Sequence, residues 1–193
     1  MADALVLPQR APRYPAESVE IRLLAEGRPL LIRPLAASDA EPLQDFVRGL
    51  STTARYQRFQ SGLRELAPDL LAHLLAVDYR SSMAFVAVVF EHGHRQIIAE
   101  ARYAPALDGT GATDFALATA DAWQRQGIGR MLLDHLLRYA VRSCISRMQG
   151  DVLHDNTAML GLARQFGFAL RMHPDGAWLT RVEKALDPCA VAA

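Results

Sequence analysis

Gln124-Arg125-Gln126-Gly127-Ile128-Gly129-Arg130 sets two glycines between two arginines. The run before it, Phe115-Ala116-Leu117-Ala118-Thr119, reads as a buried strand, and after it Ile128, Met131, Leu132, Leu136, Leu137 and Ala140 recur with helical spacing. A strand therefore feeds a polar loop, and the loop opens a helix on its glycines. The chemistry available there is anion binding. The first amides of a helix have no internal partner and carry the positive end of the helix dipole. Glycine at 127 and 129 keeps side chains out of the way of those amides, and Arg125 and Arg130 add charge, so the stretch suits a phosphate or pyrophosphate. It is not a Walker loop, because the chain contains no Gly-Lys pair. It also departs from the dinucleotide fingerprint Gly-x-Gly-x-x-Gly: position 132 is Leu, and residues 120–126 separate the strand from the first glycine.

The remaining elements must position that loop. The chain has 193 residues, 51% of them hydrophobic, which is enough for one α/β domain with a full core. Pro8, Pro12 and Pro15 mark residues 1–18 as an arm, residues 19–187 carry the domain, and 188–193 form a tail. Strands are expected over 19–25 and 29–35 around a turn at Glu26-Gly27-Arg28. Helices follow from Ser38 or Asp39 to Gly49, from Ser51 to Phe59 and from Pro68 through Leu75. Strands at 83–90, 96–103 and 113–119 lead to the glycine loop and the helix to Arg142. A strand at 147–152, a helix at 156–166 and a closing pair near Arg171 and 178–186 complete the chain. The formal net charge is zero, which argues against binding nucleic acid through its phosphates. Cys144 and Cys189 make no disulfide framework, so a reduced, cytoplasmic setting is expected. His92-Gly93-His94 sits between two strand-like runs and reads as a hairpin turn, and no metal is expected. The longest apolar run, Met83 to Phe90, is too short to span a bilayer, and no signal peptide begins the chain, so no membrane partner is expected.

Gln124-x-x-Gly127-x-Gly129, in this order of elements, resembles the pyrophosphate loop of GNAT-superfamily N-acetyltransferases. Asn156-Thr157-Ala158-Met159-Leu160-Gly161-Leu162-Ala163-Arg164-Gln165-Phe166-Gly167-Phe168 is similar to the later helix of that family. A narrower resemblance is to the catalytic domain of bacterial Pat-type protein lysine acetyltransferases. It is carried by Ile32-Arg33-Pro34-Leu35 with Asp39, Phe46 to Ser51, Arg55-Tyr56-Gln57-Arg58-Phe59, Ala72-His73-Leu74 with Val77-Asp78-Tyr79, and Ala99-Glu100-Ala101-Arg102-Tyr103. The resemblance covers residues 19 to 187. It implies a GNAT fold, with a mixed central sheet of six to seven strands flanked by helices and splayed at the acetyl-CoA site.

The same resemblance assigns roles. Acetyl-CoA would be the cosubstrate, its pyrophosphate on Gln124, Arg125, Gln126, Gly127, Ile128, Gly129 and Arg130. Its pantetheine would pair with Leu117, Ala118 and Thr119 as an added strand, and Asn156 would contact it, although Asn156 also suits an N-cap. The acceptor amine must lose a proton, which for a lysine of pKa about 10.4 costs roughly 4 to 5 kcal/mol at neutral pH. Pat-type enzymes place a Glu near the start of the central strand for this. The matching residue here is Asp114, one methylene shorter, and Glu100 on the neighbouring strand is the second candidate. Asp114 could equally be a solvated strand-end carboxylate. The Tyr that many family members carry seven residues after the helix Asn is Ala163 here. A protein lysine is the expected acceptor, with a small amine or peptide N-terminus as the alternative and a non-catalytic acyl-CoA sensor as a third possibility. The arm could mediate a homodimer.

Overall fold

The computed structural model describes residues 12–91 and 93–187. His92, the first part of the expected arm and the tail with Cys189 lie outside the described residues. From the arm, Tyr14 packs edge-on against Tyr79 and its hydroxyl donates to the Pro34 carbonyl at 3.2 Å.

Alternating burial and helical periodicity account for the elements. β1 (Glu20–Leu23) and β2 (Pro29–Pro34) form the first hairpin. Three helices follow: α1 (Ala40–Gly49), α2 (Thr52–Phe59) and α3 (Pro68–Leu75). Ser51 caps α2 by accepting from the Ala54 amide at 3.1 Å, and Pro68 opens α3, where its missing N–H costs nothing. β3 (Met83–Glu91) and β4 (His94–Pro105) make the second hairpin, with Glu91 opposite His94, so the histidine-flanked glycine is a turn as expected. β5 (Thr113–Thr119), α4 (Ile128–Arg142), β6 (Arg147–Leu153) and α5 (Thr157–Gln165) form the crossover half. β7 (Ala169–Met172) and β8 (Leu179–Ala185) close the sheet.

The sheet runs β1-β2-β3-β4-β5-β6-β8-β7, antiparallel except for the β5–β6 pair. It has eight strands, the number read along the chain and one or two more than the resemblance implied, with the short β7 paired to β8 over four residues at the edge. Each face carries a core. Met83, Phe85, Ala87 and Val89 of β3 point to α4 and pack with Ile128, Leu132, Leu133 and Leu136. Ala84, Val86 and Val88 point the other way, to Leu43, Phe46 and Val47 of α1 and Leu74 of α3. A strand buried on both faces reads as a continuous apolar run, as Met83 to Phe90 does. Among the described residues no helix is long and apolar enough to cross a membrane.

Arg33 and Asp39 fasten the first hairpin to α1 through two charge-assisted hydrogen bonds of 2.6 and 2.7 Å, and Asp39 also accepts from the Ala36 amide. Asp39 is 5% exposed. Removing it leaves the partly buried Arg33 guanidinium without its carboxylate, a loss of about 1–3 kcal/mol. Asp39→Ala should therefore lower the urea midpoint sharply, with the slope of the transition unchanged.

Candidate active site

β5 and β6 are paired only at their start, Thr113 with Met148 and Asp114 with Gln149. Beyond that they diverge. Gly150 is the last point of close approach: a Cβ there would lie 3.0 Å from Phe115 Cε1 and 3.1 Å from the Phe115 carbonyl. Gly150→Ala forces that contact apart in a packed interior, and an overpacking loss of about 1–3 kcal/mol is expected in thermal unfolding.

The gap opens into a cavity of about 490 Å³ between the second half of β5, the start of α4, the start of α5 and one side of α2. The expected coenzyme residues Leu117, Ala118, Thr119, Gln124, Arg125, Gly127, Ile128, Gly129, Arg130 and Asn156 all line it. Gln126 is in the same loop, its side-chain amide donating to the Ala122 carbonyl at 3.1 Å. The loop is shaped by Gly127, which caps α4 at φ +81°, a conformation that needs glycine. No side chain caps this helix, so the amides of Ile128, Gly129 and Arg130 keep no intrahelical partner. The Ile128 side chain is buried in the core, which leaves only its backbone facing the cavity. Gln124 donates to the Thr119 carbonyl at 3.2 Å and closes the loop onto the end of β5. Arg130 is drawn to α5, donating to Gln165 at 3.1 Å. Asn156 accepts from the Met159 amide at 3.0 Å as the N-cap of α5 and stands in the cavity wall.

One contact that nothing in the local sequence signals is Asp121. Its carboxylate accepts from the Ser51 amide at 2.9 Å and the Ser51 hydroxyl at 2.7 Å, tying the loop to the start of α2. Burial would raise this carboxyl, but the two Ser51 hydrogen bonds outweigh it and hold it low.

The two candidate bases stand on the same sheet face, since Ala104 pairs with Asp114 and Glu100 with Ala118. Their surroundings differ. Glu100 is 2% exposed and is gripped by Arg102 and by Arg58, whose Nε and Nη2 lie 3.3 and 3.2 Å away. Burial pushes the Glu100 carboxyl up, but the two guanidinium charges more than reverse that and hold it low. A carboxylate so engaged is a poor proton acceptor. Asp114 is exposed at the paired start of β5, before the strands part, in a group with Asp108, Asp151, Gln149 and Arg181. Desolvation raises its carboxyl, and the Asp108 and Asp151 charges raise it further, against a hydrogen bond from Gln149 and the charge of Arg181. Asp108 is pushed the opposite way by hydrogen bonds from Thr110 and Gln149. Asp151 is committed to Arg181 and lies 3.2 Å from His173 Nε2. Carboxylates driven apart in this manner are the usual mark of an assigned base.

A second, narrow cavity of about 50 Å³ runs through the splay between Ala116, Leu117, Gly150 and Asp151, and Arg58 and Gln57 line both. The sequence alone gives neither α2 residue a role, although both fall in the Arg55-Tyr56-Gln57-Arg58-Phe59 stretch.

A sheet parted beside a glycine-led helix start, with free helix amides at one end and a narrow cavity in the gap, is the architecture of an acyltransferase that draws on a coenzyme A thioester. The model described as the Acetyltransferase (GNAT) family matches residues 48–168, and the chain belongs to that family. It is 36% identical over 155 residues to Acetyltransferase PA5475 of Pseudomonas aeruginosa, covering 80% of this chain and 83% of that protein. It is 29% identical over 157 residues to Acetyltransferase Pat of Mycolicibacterium smegmatis, covering 81% of this chain but 46% of that protein, so it spans about half of that relative. The GNAT domain of S. lividans Pat has the same fold, with a TM-score of 0.80 at 24% identity over 90% of this chain and 100% of that one. The protein is an acetyl-CoA-dependent acetyltransferase.

Proposed function

We propose that this enzyme acetylates lysine side chains of folded proteins, with Asp114 taking the proton of the attacking amine. The observation that carries this is the electrostatic contrast between the two carboxylates on one sheet face: Glu100 saturated by arginine, Asp114 raised and open to solvent. Two residues of strand separate Asp114 from Ala116 at the narrow channel, roughly 7 Å, which is a distance spanned by a lysine head group or one water. Asp108 and Asp151 make the same end attractive to a cationic amine. A wide recess of about 730 Å³ lies on the other side of α2 at the end of β6, walled by α2 and by residues 61–64, 153–155 and 178. Tyr56 and Trp178 are 46% and 48% exposed there, as suits a surface that receives another protein. The resemblance of residues 19 to 187 to Pat-type protein lysine acetyltransferases supports a protein acceptor over a small amine.

In chemical terms, backbone amides along the free half of β5 align the thioester, the amine enters from the Asp114 side, and the proton leaves to that carboxylate or through a water to it. The test is to offer acetyl-CoA with a folded acyl-CoA synthetase, with polyamines and with free amino acids, and to follow thiol release. Transfer to lysines of the protein alone is the expected result. Faster transfer to polyamines or amino acids would overturn it.

A further inference from the structure

Every titratable side chain lining the 490 Å³ cavity is an arginine: Arg58, Arg125 and Arg130. Ala163, where a proton donor to the leaving thiol would be expected, is wholly buried in the core under α5. The thiolate that leaves acetyl-CoA thus meets no acid in this wall. The wall does hold a buried charge. Arg58, Glu100 and Arg102 form a buried set of two cations and one anion, with side chains 9%, 3% and 12% exposed, so the set carries one net positive charge. Arg102 is turned to α3, where its Nη2 donates to the Leu74 carbonyl at 3.1 Å. Arg58 is turned to the cavities and lines both, at the throat they share with Leu117. Its Nε and Nη2 face Glu100, while among the described residues its Nη1 has no hydrogen-bond partner.

We infer that Arg58 is the residue that stabilises the departing thiolate, as a fixed buried cation at the throat, with Glu100 positioning its guanidinium. This deepens the acetyl-CoA reading of the cavity and rests on it. In the step concerned, the amine nitrogen bonds to the thioester carbon, the carbon–sulfur bond breaks, and its electron pair stays on sulfur as thiolate. The amine proton passes to Asp114, and sulfur takes a proton from solvent only as the product leaves. Arg58 transfers no proton. A guanidinium is charged at every relevant pH, so it serves here as an electrostatic partner and not as an acid.

The consequence is measurable without any amine acceptor. A cation within about 4–6 Å lowers the pKa of an acid by 1–3 units. The thiol of free coenzyme A bound to the full chain, titrated by its thiolate ultraviolet absorbance, should ionise at least about one unit below the ordinary value of about 8.5. Arg58→Met should return it to that value or above. Glu100→Gln keeps the side-chain shape but removes the opposing negative charge, and should move the thiol further down, opposite in sign to Arg58→Met. A merely structural role for either residue would not produce that opposition. If Arg58→Met fails to fold, the wild-type and Glu100→Gln titrations still decide. A bound thiol that ionises like free coenzyme A in the wild type, or one that Glu100→Gln raises, would overturn the assignment while leaving the cavity as the coenzyme site. Failure of coenzyme A to bind at all would overturn the coenzyme reading itself, and this inference with it.

Discussion

Asp114→Asn is expected to lower kcat for acetyl transfer by about 10²- to 10⁴-fold, the usual worth of a positioned general base, while acetyl-CoA affinity stays unchanged. Affinity is spared because Asp114 sits at the start of β5, away from the loop at its end, and does not line the 490 Å³ cavity. The variant should also be more stable than the wild type at neutral pH. A carboxyl that is raised in the folded state, here by desolvation and by Asp108 and Asp151, binds protons more tightly folded than unfolded. Its contribution therefore weakens the fold as pH rises through the raised pKa. Asparagine removes that repulsion, so the stability gain should be present at pH 7 and vanish in acid, where Asp114 is protonated. Activity follows the opposite course: the wild-type rate rises with pH as the carboxylate and the neutral amine form, and the profile of the Asp114→Asn variant loses the carboxylate's share. Loss of activity with gain of stability separates a functional carboxylate from a solvated one. An Asp114→Asn enzyme with unaltered kcat would place the base elsewhere.

Sequence patterns made the helices and the glycine loop readable because their causes are local. α4 spans Ile128–Arg142 as its apolar spacing requires, and Gly127 adopts the left-handed cap that a glycine before a helix signals. The long apolar run of β3 announced a strand buried on both faces. What could not be read arises from contacts distant along the chain. Arg58 and Glu100 are 42 residues apart and Ser51 and Asp121 are 70 apart, and no spacing rule links such pairs. The same limit blurred the two candidate bases. Glu100 and Asp114 are both acids on neighbouring strands in the sequence, and only the side chains arriving from α2 and from β4 itself make one an ion-pair anchor and leave the other open. The splay depends on Gly150 meeting Phe115 across two strands, which follows from the parallel register and not from either residue's neighbours. The edge strand β7 was legible near Arg171 as half of a closing pair, although the family resemblance implied a narrower sheet.

Gly129→Asp is expected to abolish acetyl-CoA binding at working concentrations, with a loss of at least about 100-fold in affinity and no loss of fold. A Cβ at 129 would sit 3.4 Å from Leu117 Cδ2, 3.6 Å from Thr119 Oγ1 and 3.8 Å from Leu162 Cδ2, all ordinary contacts, so a side chain is accommodated in the ligand-free protein. A carboxylate in the first turn of a helix is favourable there, and Asp is a slightly better helix residue than Gly, so thermal stability should hold or rise. The same carboxylate occupies the amides that would otherwise face the diphosphate and opposes its charge. Two unit charges about 4 Å apart at an effective dielectric near 20 repel by about 4 kcal/mol, roughly a thousandfold in affinity, and solvent screening reduces this to the hundredfold expected. Gly129→Asn has nearly the same shape without the charge and should cost far less, which separates repulsion from crowding. Calorimetry with acetyl-CoA on the three proteins reads the difference directly. Equal affinities for Gly, Asn and Asp at this position would mean that the diphosphate does not lie on the α4 amides, and the thioester would then have no reason to run along the free half of β5.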